Sequence, residues 1–169
     1  DGEGSGSVLD HSLKLNAKQY LPTDDSLIPL GDSEMVQGTP MDFTEFKPLG
    51  RDIREDFPSL NYAKGYDACF VIDNWQEGQL QLAAELRSAR SGRVLEVTTT
   101  QPGVHIYTGN WLAGSPEGKC GRSYNDYDAV ALECQHFPDS PNKEAYPCTV
   151  LRPGETFREA IIFAFSTIE

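Results

Sequence analysis

The sequence has no unbroken apolar run near the roughly 18 residues that a membrane-spanning helix requires, which excludes such a helix and any expectation of a membrane partner. Positive charge is scarce as well: 14 Lys and Arg stand against 26 Asp and Glu, giving a formal net charge of −12 and a pI near 4.6. Affinity for nucleic acid depends mainly on neutralising phosphates with Lys and Arg, so no nucleic-acid partner is expected of so acidic a chain. Four cysteines are present, Cys69, Cys120, Cys134 and Cys148, but none belongs to a CxxC pair with a second pair or a histidine close by. Zinc ligation therefore lacks its usual spacing, and no metal site is expected. Cys69 and Cys134 lie inside apolar runs where thiols pack as small hydrophobes, so buried free thiols are expected rather than disulfides. Phosphate loops, dinucleotide fingerprints, zinc helices and nucleophile elbows are also missing.

What is present suits one domain: 169 residues, 38% of them hydrophobic, with a mean hydropathy of −0.45 and the apolar residues gathered into short runs. Helical spacing occurs only over Gly78 to Arg90, and there the alternation of Leu80, Leu82, Ala84 and Leu86 with Gln79, Gln81, Glu85 and Arg87 fits a period of two better. With Ser91-Gly92 and the β-branched run Val94 to Thr100, residues 79–100 are expected to form a hairpin. Further strands are expected at Leu13 to Ala17, Ala68 to Asp73, Gly103 to Thr108, Ala129 to Gln135, Thr149 to Leu151 and Phe157 to Ser166. Turn clusters such as Pro22-Thr23-Asp24-Asp25 and Ser115-Pro116-Glu117-Gly118 separate them. Short strands punctuated this regularly predict an all-β, antiparallel β-sandwich. The stretch Leu21 to Asn61 is rich in Pro, Gly and Asp and is long for a connection. It is either a functional loop or a wrap around a sheet edge, pinned by Ile28, Met35, Val36, Phe43, Phe46 and Ile53.

Alternation singles out the candidates for chemistry. In the Ala129 to Gln135 run, Val130, Leu132 and Cys134 share one face, while Ala129, Ala131, Glu133 and Gln135 share the other. Small side chains around a carboxylate leave room for a ligand; the plainer account is a solvated surface glutamate. His105 and Tyr107 lie together opposite Val104 and Ile106, as sugar-facing groups or as a hydrogen-bonded core histidine and its neighbour. Asp67 stands just before an apolar strand, where it accepts hydrogen bonds from a ligand or from its own turn. Position alone favours the turn. Trp75 and Trp111 could stack on sugars, though sandwich aromatics usually join the core, and structural or surface roles are the plainer expectation for His11 and His136.

Longer motifs carry more weight. Leu132-Glu133-Cys134-Gln135-His136-Phe137-Pro138-Asp139-Ser140-Pro141-Asn142, followed by Val150-Leu151-Arg152-Pro153-Gly154-Glu155, resembles the C-terminal signature of the aldose 1-epimerases, the galactose mutarotases. Ser91 to Val97, Thr99-Thr100-Gln101-Pro102-Gly103-Val104 and Tyr107-Thr108-Gly109-Asn110 resemble the family's central hairpin. Asp10-His11, Tyr20-Leu21-Pro22-Thr23-Asp24 and Gly65-Tyr66-Asp67 match in order before it. The resemblance covers nearly the whole chain. It implies a large antiparallel β-sandwich of the mutarotase supersandwich kind, of which residues 1–169 are the C-terminal portion, with a sugar cleft on a concave sheet. It implies interconversion of the α and β anomers of aldohexoses such as galactose or glucose without metal or organic cofactor. In that chemistry a Glu takes the C1 hydroxyl proton while a His protonates the ring oxygen, and ring opening, rotation and closure follow. The family's base falls on Glu133, held by donors of the cleft, and its substrate-binding Asp on Asp67.

Departures from the family pattern bear on function. His105 stands where many members carry a sugar-contacting Gln, so His105 is expected to bind substrate in its own way. Ala68-Cys69 replace a frequent His-Asn after Asp67. The Asn-His-Ser-Tyr-Phe-Asn-Leu motif that carries the catalytic acid is absent, and none of His11, His105 or His136 matches it. The acidic, Gly/Ser-rich start Asp1 to Ser7 is expected to be a loop that follows an upstream strand. The isolated 169-residue chain is then expected to be inactive or nearly so, and to expose a sheet edge that the absent half covers; the partner expected is its own N-terminal half or, as a homodimer, a second copy. Two other readings stand beside the enzyme: a noncatalytic carbohydrate-binding sandwich, and a structural domain using the fold for protein contacts.

Overall fold

The computed structural model describes residues 1–168. Ten strands carry the architecture: β1 Ser12–Leu15, β2 Gln19–Tyr20, β3 Glu34–Met35, β4 Lys47–Pro48, β5 Asp67–Val71, β6 Gln81–Arg87, β7 Arg93–Thr99, β8 Gly103–Tyr107, β9 Ala131–Gln135 and β10 Ile161–Thr167, with one helix, α1, at Pro58–Ala63. They form two antiparallel five-stranded sheets, ordered β10-β7-β6-β1-β4 and β3-β2-β5-β8-β9. Leu13, Leu15, Ala84 and Val97 of the first sheet pack with Tyr20, Ala68, Phe70, Val104 and Ile106 of the second in one core. Two sheets closing on a shared apolar layer make the expected sandwich.

The 79–100 hairpin is present as β6 and β7, turning through Ser88 to Gly92, where the Ser88 amide donates to the Arg93 carbonyl at 2.9 Å. Its alternation is broken once. A bulge between Leu82 and Ala84 buries both Ala83 and Ala84 and turns Leu80 and Leu82 outward, a phase change that strict alternation does not anticipate.

Other boundaries differ from expectation. Thr149 to Leu151 forms no strand: Val150 and Leu151 lie exposed, no neighbouring strand offers a ladder, and Pro147 and Pro153 on either side cannot donate to one. The last strand begins at Ile161 rather than Phe157, and β9 at Ala131 rather than Ala129. Helix α1 was not expected, since fewer than two turns leave no periodicity to read. Pro58 at its start and Gly65 just past its left-handed Lys64 cap are its only sequence marks. All four cysteines are free, but only Cys69 is fully buried and Cys134 half-buried; Cys120 and Cys148 sit in solvent-exposed loops, against the expectation of burial.

The Leu21 to Asn61 stretch wraps as a structured loop. Val36, Phe43 and Ile53 are buried as expected, whereas Ile28 and Met35 are exposed and Phe46 lies half-buried under the side chains of Lys14 and Arg87. A buried cation ties the wrap together. Lys47, only 2% exposed, donates to the Pro40 carbonyl at 2.6 Å, pairs with Asp52 at 2.9 Å and lies 4.1 Å from the Phe43 ring centre. The Tyr66 hydroxyl donates to the same Pro40 carbonyl at 2.9 Å, and Arg51 grips Asp52 with two nitrogens. Burial lowers the Lys47 ammonium pKa from its ordinary value, while hydrogen bonding from Arg51, helped by Lys47, lowers the Asp52 carboxyl.

The two ends of this pair should respond differently to mutation. Asp52→Ala strands the buried Lys47 ammonium and is expected to cost about 3–5 kcal/mol in chemical denaturation. Lys47→Met leaves Asp52 with Arg51 and the Pro40 carbonyl with Tyr66, and is expected to be nearly neutral. Because the Asp52 pKa is lower folded than unfolded, its contribution is present above the ordinary carboxylate value of 3.8 and is lost as pH falls through the lowered one. Denaturation midpoints of wild type and Lys47→Met across acidic pH check the sign: the wild type should lose stability steadily with acidification in that window.

Candidate functional site

The core fixes which way the second sheet faces. Ala68 and Phe70 of β5, Val104 and Ile106 of β8, and Leu132 and Cys134 of β9 turn inward, so Asp67, Cys69, Gly103, His105, Tyr107, Ala131, Glu133 and Gln135 share the outer face. Register then sets their rows. Cys69 lies opposite His105 and His105 opposite Glu133, while Asp67 lies opposite Tyr107 and Tyr107 opposite Ala131. Asp67, His105 and Glu133 thus come together from three adjacent strands, with Glu133 sharing a face with Ala131 and Gln135 and His105 with Tyr107, as alternation within each strand gave them. Asp67 corrects the turn expectation: it is the first residue of β5, and its carboxylate bonds the His105 ring rather than its own turn.

These side chains line an open cleft of about 330 Å³ together with Leu27, Tyr107, Trp111, Gln135 and Pro138. That volume suits a single small polar ligand. His105 Nε2 lies 2.6 Å from Asp67 Oδ1, and its Nδ1 is buried with no hydrogen-bond partner. Glu133 is exposed to the cleft, and among the described residues no donor bonds its carboxylate, so the expected donors of the cleft do not hold it. Ala131 leaves space beside it.

Backbone near Asp67 is held by a buried polar clamp that sequence reasoning missed. Asn110 Nδ2 donates to the Tyr66 carbonyl at 3.0 Å, the Tyr66 amide donates to Thr108 Oγ1 at 3.1 Å, and the Thr108 hydroxyl donates to Asn110 Oδ1 at 2.6 Å. Thr108 and Asn110 are fully buried. Gly65 completes it: with φ of +154°, a Cβ there would meet Asn110 Oδ1 at 2.5 Å. The signal available was a polar Thr-Gly-Asn closing an apolar strand beside a Gly-Tyr-Asp. Under the His105 row, Gly103 admits Cys69 Sγ and the Phe137 ring, which a Cβ would approach at 2.9 and 3.1 Å. Cys69 is a thiol at any ordinary pH, its pKa pushed up to about 12 by burial.

The tryptophans and the other histidines divide between roles. Trp111 is 57% exposed and borders the cleft, its ring 4.0 Å from Lys64 Nζ, so it is no core residue; Trp75 donates Nε1–H to the Thr100 carbonyl. His11 pairs with Asp10 and His136 with Gln101, both structural contacts away from the cleft. A larger hollow of about 660 Å³ between β1, β6 and the Phe46 loop gathers charges that already satisfy one another, Lys14 with Glu45 and Arg87 with Glu85. It has no converging unpaired groups like those of the smaller cleft. Among the described residues no cluster of His, Cys, Asp or Glu is arranged to hold a metal ion.

A family model described as aldose 1-epimerase matches residues 2–164. The chain belongs to the aldose 1-epimerase family. It is 40% identical over 165 residues to the galactose mutarotase of Homo sapiens, covering 98% of this chain and 46% of that protein. It is 36% identical over 168 residues to the aldose 1-epimerase of Escherichia coli strain K12, covering 98% and 47% respectively. Among solved structures, an aldose epimerase homologue from C. elegans superposes with a TM-score of 0.84 at 28% identity, over 100% of this chain and 49% of the other. A galactose 1-epimerase from Lactobacillus acidophilus gives 0.77 at 26% identity, over 95% and 45%. The chain therefore spans about half the length of the relatives it matches, and its two-sheet fold is that of this family.

The clamp carries a prediction. Asn110→Ala removes one donor from the Tyr66 carbonyl, which keeps the Thr108 amide at 3.1 Å and the Thr108 hydroxyl at 3.2 Å, and is expected to cost about 1 kcal/mol. Hydrogen exchange should speed up at Tyr66 and Asp67 while the β6–β7 hairpin keeps its protection, and unchanged exchange at those amides would remove the clamp from any role in placing Asp67.

Proposed function

We propose that this chain is the C-terminal, base-bearing portion of an aldose 1-epimerase acting on neutral aldohexoses such as galactose or glucose. The observation that carries the reading is the meeting of Asp67, His105 and Glu133 on one sheet face around a cleft of about 330 Å³, in a chain of this family. Glu133, unpaired and open to the cleft, takes the proton of the C1 hydroxyl as general base. As the new carbonyl forms at C1, the bond from C1 to the ring oxygen breaks and that oxygen takes a proton from an acid. Rotation about C1–C2 and the reverse transfers then close the other anomer. Asp67 accepts a hydrogen bond from a sugar hydroxyl, and Trp111 and Leu27 give the sugar an apolar wall.

The acid is a histidine that lies upstream of this chain. His105, beside the cleft, directs its Nε2 at Asp67, and among the described residues no other histidine borders the cleft. By itself the chain is a sugar-binding half-site, which is where the noncatalytic binding reading applies. The apolar, two-faced edge of β10 supports a role for the N-terminal half as its cover: Ile161, Ile162, Phe163 and Phe165 are all exposed.

Polarimetry on freshly dissolved α-galactose or α-glucose tests this. The 169-residue chain is expected to leave the spontaneous rate unchanged, whereas a protein extended N-terminally to the length of the relatives accelerates it. Glu133→Gln in the extended protein should lower kcat by about 10²–10⁴-fold. A retained rate in Glu133→Gln removes Glu133 from the base role, and full activity in the short chain removes the upstream acid.

A further inference from the structure

The Asp67–His105 pair is a partly buried polar contact on the outer face that the proposed chemistry does not use. Asp67 sits diagonally across the β5–β8 ladder from His105, within reach of a long side chain, and the bond between them is short, 2.6 Å. A carboxylate oxygen can only accept, so the ring proton of a neutral His105 resides on Nε2. The other nitrogen gives the same assignment. Nδ1 is sealed from solvent without a partner, so a proton placed there instead would be a buried N–H with no acceptor, while Nε2 would turn a lone pair toward a carboxylate. Cys69, directly opposite His105, remains a thiol and brings no competing charge.

Resting on the sugar-binding reading above, we propose that His105 is a positioning residue: its Nε2–H holds Asp67 Oδ1, so that Asp67 presents one fixed acceptor, Oδ2, to a single sugar hydroxyl. Among the described residues no other group bonds that carboxylate. Two consequences follow for specificity and chemistry. The site recognises a hydroxyl that donates, and a sugar lacking that hydroxyl leaves Oδ2 without a partner in the cleft. The imidazole proton is committed to Asp67 and is not offered to a ring oxygen. A glutamine at this position keeps an N–H donor for Asp67, whereas alanine leaves the carboxylate free to rotate.

Two measurements test the pair separately from the reaction. The chain has three histidines, His11, His105 and His136, so imidazole 15N spectra of the 169-residue chain, assigned by loss of a signal in His105→Gln, report the tautomer directly. The expected result is a proton-bearing Nε2 and a bare Nδ1 on His105, with the preference lost or mixed in Asp67→Ala, which removes the acceptor. A proton on Nδ1, or no response to Asp67→Ala, overturns the proposal whether or not the protein acts on sugars. In the N-terminally extended protein, His105→Ala should raise KM about tenfold with kcat changed less than about threefold, and His105→Gln should return KM to within about threefold of wild type. An unchanged KM in His105→Ala, or a fall in kcat at constant KM, also overturns it. Absence of any mutarotation in the extended wild type would instead overturn the enzyme reading, leaving the tautomer to decide the pair. Matching thermal midpoints of the variants separate these effects from unfolding.

Discussion

Register in the sheet β3-β2-β5-β8-β9 is held by what lies behind it. Val104 and Ile106 of β8 are completely buried against the opposing sheet, beside Phe70 of β5, and a slip of one residue in β8 would turn Val104 and Ile106 to water and drive His105 and Tyr107 into the core. Burying side chains of that size is worth about 1.5–3 kcal/mol each, and burying unpaired polar groups of His105 and Tyr107 would cost more, so the alternative register is closed. The cleft inherits that certainty. Asp67, His105 and Glu133 face one another because the apolar residues between them have nowhere else to go, and no loop has to be ordered to bring them together.

What surrounds the three strands serves the same end by polar means. The clamp of Thr108 and Asn110 on the Tyr66 backbone sets where β5 begins, and Gly65 lets α1 finish immediately before it. Tyr66 is also the link to the long wrap, through the Pro40 carbonyl it shares with Lys47. A segment of some forty residues with few strands of its own is thereby anchored at Pro40, Lys47 and Asp52, close behind the residue that opens the cleft. The buried ion pair contributes placement more than net stability, since desolvating Lys47 offsets much of its attraction to Asp52.

Much of this was legible in the sequence, because period-two alternation is a property of single strands. It placed Glu133 with Ala131 and Gln135, and His105 with Tyr107, and the outer face carries them so. Asp67 was less legible: its bond to His105 spans 38 positions, and which β5 residue meets which β8 residue is settled by register, not by either strand alone. The same limit hid the Thr108–Asn110 clamp and the Lys47 pair, both made of residues whose partners are distant or are backbone carbonyls. Leu80 and Leu82 failed for another reason, since a bulge inserts one residue into β6 and reverses the phase upstream of it. Thr149 to Leu151 shows that β-branched composition without a neighbouring strand makes no sheet.

The acidic excess of the sequence acquires a location in the fold. The cleft is lined by Leu27, Asp67, His105, Tyr107, Trp111, Glu133, Gln135 and Pro138, which include two acidic residues and neither lysine nor arginine. Lys64, which lies over the Trp111 ring, is already paired with Asp126 at 3.0 Å. A sugar phosphate brought into this space would set its charge against Asp67 and Glu133 with no guanidinium or free ammonium to receive it. An uncharged hexose meets no such penalty. Its hydroxyls can donate to carboxylates that accept only, and its apolar face can lie against Trp111 and Leu27. The electrostatics of the lining and the composition of the whole chain therefore both support the proposed ligand class, a neutral polyol presented with its hydroxyl protons toward the sheet.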